Sequence, residues 1–383
     1  MKSNHTETHL VLTIVLILLA AALAPDYVCG QNHQVQSTTA DQAQKKGANP
    51  DTDFRTVIKQ NGRIVKIPKK IDRVVIASLP LPSIYYAITG STDNVVGVTR
   101  NKLSVDFSML NILAPKLMDA STNFVNSTDV NVETVLKLRP DLVFYGGLDL
   151  KKIEQFDAVG IPTVGIYLVK GGNALESLHL WAGLLGQIFN KESRVSDLVA
   201  LDEKTMEMIH SRVRKIPQEK KTKALILFHH NAKKIDVNGT NSFAQFWLEA
   251  TGGVNVSQDI TGMSTVNMEQ IYKWNPDIIY ITNFSRTLPE ELIRNTVKGQ
   301  DWSKIKAVKE KRVYKVPSGI YRWYAPSADA SLMLKWMAQI NHPGLFSDYD
   351  IKEEIRNHYS WFYNYDLSNE EIDKILYLVR ESG

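Results

Sequence analysis

Two short clusters in this 383-residue chain carry side chains suited to gripping a ligand, Tyr321-Arg322-Trp323-Tyr324 and His229-His230. An arginine fork pairs with carboxylate or catecholate oxygens, and neighbouring aromatic faces cover an apolar rim. The plainer uses are a structural salt bridge for Arg322 and a satellite core cluster for Trp323 and Tyr324. Adjacent residues at a strand end point in opposite directions, so His229 and His230 do not easily share one metal. A direct metal site needs three or four donors. Asp236 is one more nearby, whereas His5, His9 and His33 fall in segments expected to be removed or disordered. One histidine is therefore expected to touch a ligand and the other to be a hydrogen-bonded core residue, with no direct metal site.

These residues need elements to hold them. Ser193 to Ile216 has apolar residues at Val195, Leu198, Val199, Met206, Ile209, Val213 and Ile216, and no Gly or Pro before Pro217. That is a helical period, interleaved with Asp197, Asp202, Glu203, Lys204, Glu207 and Arg212. At 1.5 Å per residue the stretch makes a rod about 35 Å long, too polar to cross a bilayer. Before it lies Asn131-Val-Glu-Thr-Val-Leu-Lys-Leu-Arg-Pro-Asp141, and after it Asn267-Met-Glu-Gln-Ile-Tyr-Lys-Trp-Asn-Pro-Asp277. Each runs on into an apolar strand, Leu142 to Tyr145 and Ile278 to Ile281. A short helix stopped by Pro and feeding a strand is half of an α/β unit, and its occurrence on both flanks predicts two similar parts joined by one rod.

The totals agree with a two-core globular protein: hydrophobic content is 44% and charged content 22%. Basic residues number 45 against 41 acidic, without a long basic run, so there is no nucleic-acid footprint. The single cysteine, Cys29, excludes an intrachain disulfide framework and a Cys-based zinc site. Leu10 to Ala24 reads as a signal-peptide core, with a cut preferred after Gly30; lipidation of Cys29 and an uncleaved N-terminal anchor are the other options. All three place the body of the protein outside the cytoplasm.

The expected division is a signal peptide over 1–30, a disordered tether over 31–53, an N-terminal lobe over 54–172, a helical segment over 173–216 and a C-terminal lobe over 217–383. The expected fold is α/β: two Rossmann-like lobes, each a mostly parallel sheet flanked by helices, joined by a single long helix. A hairpin is expected around Asn61-Gly62, and a closing helix from Asn369 to Arg380 capped by Ser368 and Glu371. Ligands of open α/β sheets bind beyond the carboxyl ends of the strands. That rule nominates Ser78 and Leu79, Arg100 and Asn101, Tyr145 to Gly147 and Tyr167 on the first lobe. On the second it nominates His229, His230 and Asn231, then Asn283, then Tyr321 to Tyr324. Helix capping by Arg100 and inward packing of Tyr145 and Tyr167 are the alternatives.

With these residues laid out, the chain resembles the substrate-binding proteins of iron-siderophore and cobalamin ABC importers, whose two lobes are joined by one long helix. The matching blocks are Pro68 to Ala77, the helix-Pro-Asp-strand unit ending at Tyr145, Leu184-Leu-Gly186, the rod, Phe246 to Val254, Trp336 to Phe346 and Tyr363 to Ser368. The resemblance implies a cleft binder, and not an enzyme, that takes an iron(III) chelate or related metal complex and hands it to a membrane permease. A monomer without an intrinsic cofactor is expected. Alternatives are cobalamin, haem, a nickel complex or molybdate on the same fold, or a secreted metal-dependent enzyme built around His229 or His230. In the resembled family a surface acid on each lobe docks to the permease; Glu249 matches that position on the second lobe, and on the first, where Tyr86 to Gly90 has no acid, Asp93 is the substitute. Enzyme motifs are missing: Gly171-Gly172 lacks the P-loop Lys and Ser/Thr spacing, and neither a Gly-x-Ser-x-Gly elbow nor a His-Glu-x-x-His helix occurs.

Overall fold

The computed structural model describes residues 53–58, 60, 62, 64–99, 108–126, 129–146 and 150–377. The expectations for the signal peptide, Cys29 and the tether, and those for Arg100, Asn101 and Gly147, lie outside the described residues.

The chain starts with a hairpin of β1 (Phe54–Ile58) and β2 (Ile64–Pro68), paired antiparallel with Ile58 opposite Ile64. Gly62 in the connection sits at φ 77°, the left-handed region that a residue without Cβ enters freely. Then come β3 (Val74–Ala77), α1 (Leu81–Thr89), β4 (Val95–Val98), α2 (Met109–Leu113), the two-residue strands β5 (Val125–Asn126) and β6 (Asp129–Val130), α3 (Val132–Lys137), β7 (Leu142–Gly146), α4 (Leu150–Ala158) and β8 (Thr163–Ile166). Strands β4-β3-β7-β8 form one sheet, parallel throughout. Its central strands are buried from Val74 to Ala77 and from Leu142 to Tyr145, as expected of a sheet with helices on both faces.

Two helices follow, α5 (Ala174–Phe189), capped by the Asn173 side chain, and α6 (Glu192–Val213). The latter is the expected rod, one residue earlier at its start and three shorter at its end. The rod is not a bare strut. A single apolar cluster runs from Ile76 of the first sheet through Leu198 and Ile209 of α6 to residues beyond it. Asp202, expected on the solvated side, is fully buried. It lies four residues after Leu198 and three before Thr205, on the stripe that continues to Ile209 and Val213. Its carboxylate is met at 2.9 Å by His179 of α5. Burial pushes this acid above the usual carboxylate range, and the His179 contact only partly offsets that.

The remainder comprises β9 (Lys223–Asn231), β10 (Lys234–Asn238), α7 (Phe243–Ala250), β11 (Val254–Asn255), β12 (Met263–Val266), α8 (Met268–Trp274), β13 (Ile278–Ile281), α9 (Pro289–Ile293), α10 (Lys306–Lys309), β14 (Val313–Lys315), α11 (Ala330–Asn341), α12 (Ile351–Tyr363) and α13 (Asn369–Ile375). The second sheet has the order β12-β10-β9-β13-β14, with β11 also on β9. Strands β9, β13 and β14 are parallel, whereas β10 is antiparallel to both of its neighbours. Its Ile226 and Tyr280 join the same apolar cluster as α6. Separate clusters cover the other face of each sheet. The α13 capping box of Ser368 and Glu371 is present, but the helix ends at Ile375, before Tyr377 turns to φ 56°.

The repeated Asn…Pro-Asp unit has the same construction in both halves. Asn131 caps α3 by accepting the Thr134 N–H, and Asn267 caps α8 by accepting the Gln270 N–H. Asp141 accepts the N–H groups of Asp72 and Arg73 at 2.8 Å, fixing where β3 begins. Asp277 does the same for Lys223 at the start of β9, at 3.0 Å. Each aspartate also returns its own N–H to the neighbouring chain, to the Arg73 and Lys223 carbonyls at 2.8 Å. The repeat is thus a device that registers a new strand on the central strand of its sheet.

Candidate functional site

A cavity of about 770 Å³ opens where the carboxyl ends of the two sheets face each other. The first sheet supplies the 167–172 loop after β8. The second supplies Phe228 on β9, Asn238 at the end of β10, Asn241 to Phe243 at the start of α7, Met263 on β12, Phe284 after β13 and Tyr324 after β14. Gln60 reaches in from the hairpin. It exchanges two hydrogen bonds with the Tyr167 backbone, donating at 2.7 Å and accepting at 3.0 Å, which fixes the loop entering the cavity. Gly172, at φ 76°, lies so close to Ser242 that a Cβ would come within 2.4 Å of its backbone, so the halves touch here through glycine.

The wall is largely aromatic. Phe228 packs on Phe284 at 5.0 Å and on Tyr324 at 5.7 Å between ring centres, and Phe243 stands edge-on to Tyr324 at 6.0 Å. Tyr324 is buried, and its hydroxyl accepts from the Asn238 amide at 2.7 Å. Burial pushes its phenol far above the ordinary range, so it stays protonated. No carboxylate is among the lining residues, and Lys170 contributes a cation.

The nominated residues divide. Tyr324 and Tyr167 line the cavity, although the Tyr167 ring folds back over Gly165, where a Cβ would meet its hydroxyl at 2.2 Å. Arg322 lies one layer behind, 4% exposed, with its guanidinium 4.4 Å from the centre of the Phe284 ring that forms the wall. Half-buried Tyr321 sits beside it, its phenol raised by burial and eased by the Arg322 bond. Trp323 is fully buried and donates its indole N–H to Asp329 at 3.1 Å. Tyr145 packs on Phe156 in the outer core of the first sheet, and Asn283 donates to the Val316 carbonyl and the Tyr377 hydroxyl.

The two histidines point apart. His229, part-exposed, stands at the aromatic rim 4.3 Å from the Phe228 ring centre, and its Nδ1 lies 3.3 Å from Asp236. Burial drives the Asp236 carboxyl upward, but hydrogen bonds from Lys234, Thr265 and His229 outweigh it and hold the group below its usual range. His230 turns into the fold, with ring nitrogens 2.9 Å from Thr287 Oγ1 and 2.7 Å from Gln300 Oε1. Burial depresses its pKa below 6.5, and the Gln300 bond only partly opposes this. A histidine held neutral in the fold stabilises fully above its unfolded pKa, and that contribution is lost as pH falls below about 6.5. His230→Gln should therefore lose less stability than the native chain between about pH 7 and pH 5, measured by thermal melts across that interval; parallel losses in both proteins would contradict the assignment.

Glu249 is exposed on α7 and accepts from Gln245, while exposed Asp93 pairs with Lys116 at 3.1 Å. Among the described residues no group of three or more His, Cys, Asp or Glu is placed to hold a metal ion, and no helix is long and apolar enough to cross a membrane. The strand-end rule nominates segments that reach the cavity, but the lining often takes the residue next to the one nominated. It stops at His229 and Asn283 where the wall takes Phe228 and Phe284, because successive residues face opposite ways. Gln60 and Phe243 carry no such signal.

Similarity to known proteins agrees with this architecture. A periplasmic solute binding protein from Veillonella parvula is 35% identical, with a TM-score of 0.77 over 85% of this chain and 97% of that one. The molybdate-binding protein MolA of Haemophilus influenzae is 25% identical, over 81% of this chain and 91% of its own. The petrobactin-binding protein YclQ of Bacillus subtilis is 24% identical, over 77% and 90%. Residues 74–319 match the periplasmic binding protein family. The chain belongs to that family, the substrate-binding proteins of ABC importers.

Proposed function

We propose that this protein captures an iron(III) chelate of the siderophore class, or a closely related metal complex, in the cavity between its lobes and delivers it to a membrane permease. The observation that carries this reading is the wall: about 770 Å³ faced by Phe228, Phe243, Phe284 and Tyr324, with Lys170 and no carboxylate. A chelate presents apolar rims and anionic oxygens, which such a wall and a cation accommodate. A bare tetrahedral oxyanion needs convergent N–H and O–H donors on every oxygen, and aromatic faces leave those oxygens unsatisfied at high cost. Petrobactin binding by YclQ supports the chelate; molybdate binding by MolA is the competing precedent.

In this reading the lobes are residues 54–172 and 217–383, with 173–216 between them, and the protein acts outside the cytoplasm as a monomer. Tyr167 and Tyr324 face the chelate, His229 stands at the rim with Asp236 orienting its ring, and Tyr321 and Arg322 support the wall. Glu249 and Asp93 are the acids offered to the permease. Titration followed by tryptophan fluorescence, with the iron(III) tris-catecholate complex in one series and molybdate in the other, tests it. The chelate should bind one to one at about 1 µM or tighter and molybdate should not compete. Stoichiometric molybdate binding without chelate binding would overturn the assignment.

A further inference from the structure

The buried carboxylate of Asp329 gathers four hydrogen-bond donors. It is fully buried at the start of α11. One oxygen accepts the Ile320 N–H at 2.9 Å, the Trp323 indole N–H at 3.1 Å and the Tyr359 hydroxyl at 2.9 Å; the other accepts the Tyr363 hydroxyl at 3.1 Å. His358 Nε2 lies 3.5 Å from it. The carboxylate reaches beneath the chain only because residue 319 is glycine: a Cβ there would fall 2.1 Å from the Asp329 oxygen and 2.4 Å from the Tyr359 hydroxyl.

Both ends of this hub lead to the first lobe. In front, the Met109 N–H donates to the Gly319 carbonyl at 3.0 Å, and the Ser108 hydroxyl to the Ile320 carbonyl at 3.3 Å. Behind, Tyr363 stacks on Tyr86 of α1 with ring centres 6.4 Å apart. Arg194, at the start of α6, donates to the carbonyls of Ala87 in α1 and Phe362 in α12 and lies 3.9 Å over the Phe362 ring. The 319–324 segment, which carries Tyr321, Arg322 and Tyr324, is therefore tied to the first lobe by two routes that meet at one carboxylate.

We propose that Asp329 is the positioning residue of the binding cleft, fixing both the Tyr321–Tyr324 wall and the separation of the lobes through α12. The proposal rests on the cavity being the binding site, but its lobe-separation arm does not depend on which ligand binds. Spin labels at exposed Glu154→Cys and Glu269→Cys, in the full chain with Cys29→Ser, report the interlobe distance by pulsed electron paramagnetic resonance. Asp329→Asn turns one acceptor into an N–H donor facing other donors. It should broaden the distance distribution and weaken binding of the iron(III) tris-catecholate complex about tenfold or more. Tyr363→Phe, which removes a single donor, and Gly319→Ala, which displaces the carboxylate, should broaden it too. A lower melting temperature with an unchanged distribution in all folded variants would make Asp329 merely structural and overturn the proposal. If Asp329→Asn does not fold, the other two variants decide. If the chelate fails to bind the native protein, the functional reading falls while the distances still decide this one.

Discussion

Trp247→Ala should lower the unfolding free energy by about 3–5 kcal/mol, the range for truncating a fully buried tryptophan. Trp247 has no exposed surface and belongs to the apolar cluster that joins both sheets through α6. Truncation removes transfer free energy and leaves a void that the surrounding helices fill only in part. A second loss adds to it: the indole N–H donates to the Tyr324 carbonyl at 2.8 Å, inside the fold, so that carbonyl would lose its donor. Trp247→Phe separates the two contributions, since it keeps most of the ring and should cost about 1–3 kcal/mol for the hydrogen bond and lost volume. Equilibrium urea unfolding measures both. Because the bond ends on the backbone of a cavity residue, chelate affinity should also fall in Trp247→Ala. A stability loss below about 1 kcal/mol would show that the site collapses around the missing ring.

The fold was legible where one residue answers one structural demand. Asn131 and Asn267 announce helix starts, and Asp141 and Asp277 announce the strand registration that follows; the duplicated spacing alone thus reveals two equivalent units. The rod was legible as a helix, but not the burial of Asp202. A polar letter on an apolar stripe reads as solvated unless its partner is known, and His179 lies 23 residues earlier on another helix. The antiparallel β10 was hidden because it holds Lys234, Asp236 and Asn238, which are reconciled to a strand only by neighbours across the ladder. Helix α12 escaped for a related reason: beside Ile355 its buried face is His358, Tyr359, Phe362 and Tyr363, aromatic and polar together, and Asp329 supplies the reason for that mixture. Arg322 was nominated from the sequence by its place after a strand, but its stacking beneath the cavity residue Phe284 depends on a loop 38 positions away in sequence, beyond any local pattern.

Arg322→Ala should weaken chelate binding by about 2–4 kcal/mol, as expected when a buried charge close behind the cavity wall is truncated. Two effects converge. The guanidinium carries a full charge at 4% exposure, where solvent screens it poorly, so its field acts on anionic oxygens in the adjoining cavity. It also stacks at 4.4 Å beneath Phe284 and 5.9 Å from the Tyr321 ring centre, holding the aromatic wall from behind. Arg322→Lys keeps the charge and loses the planar stack, so it should recover only part of the affinity. A double-mutant cycle with Phe284→Ala apportions the rest. Should Arg322 act mainly through Phe284, the double variant will cost little more than Phe284→Ala alone. Should it act on the ligand's charge, the two losses will add. An Arg322→Ala protein that folds normally and titrates like the native chain would remove this residue from the binding function, and with it the electrostatic half of the case for an anionic chelate.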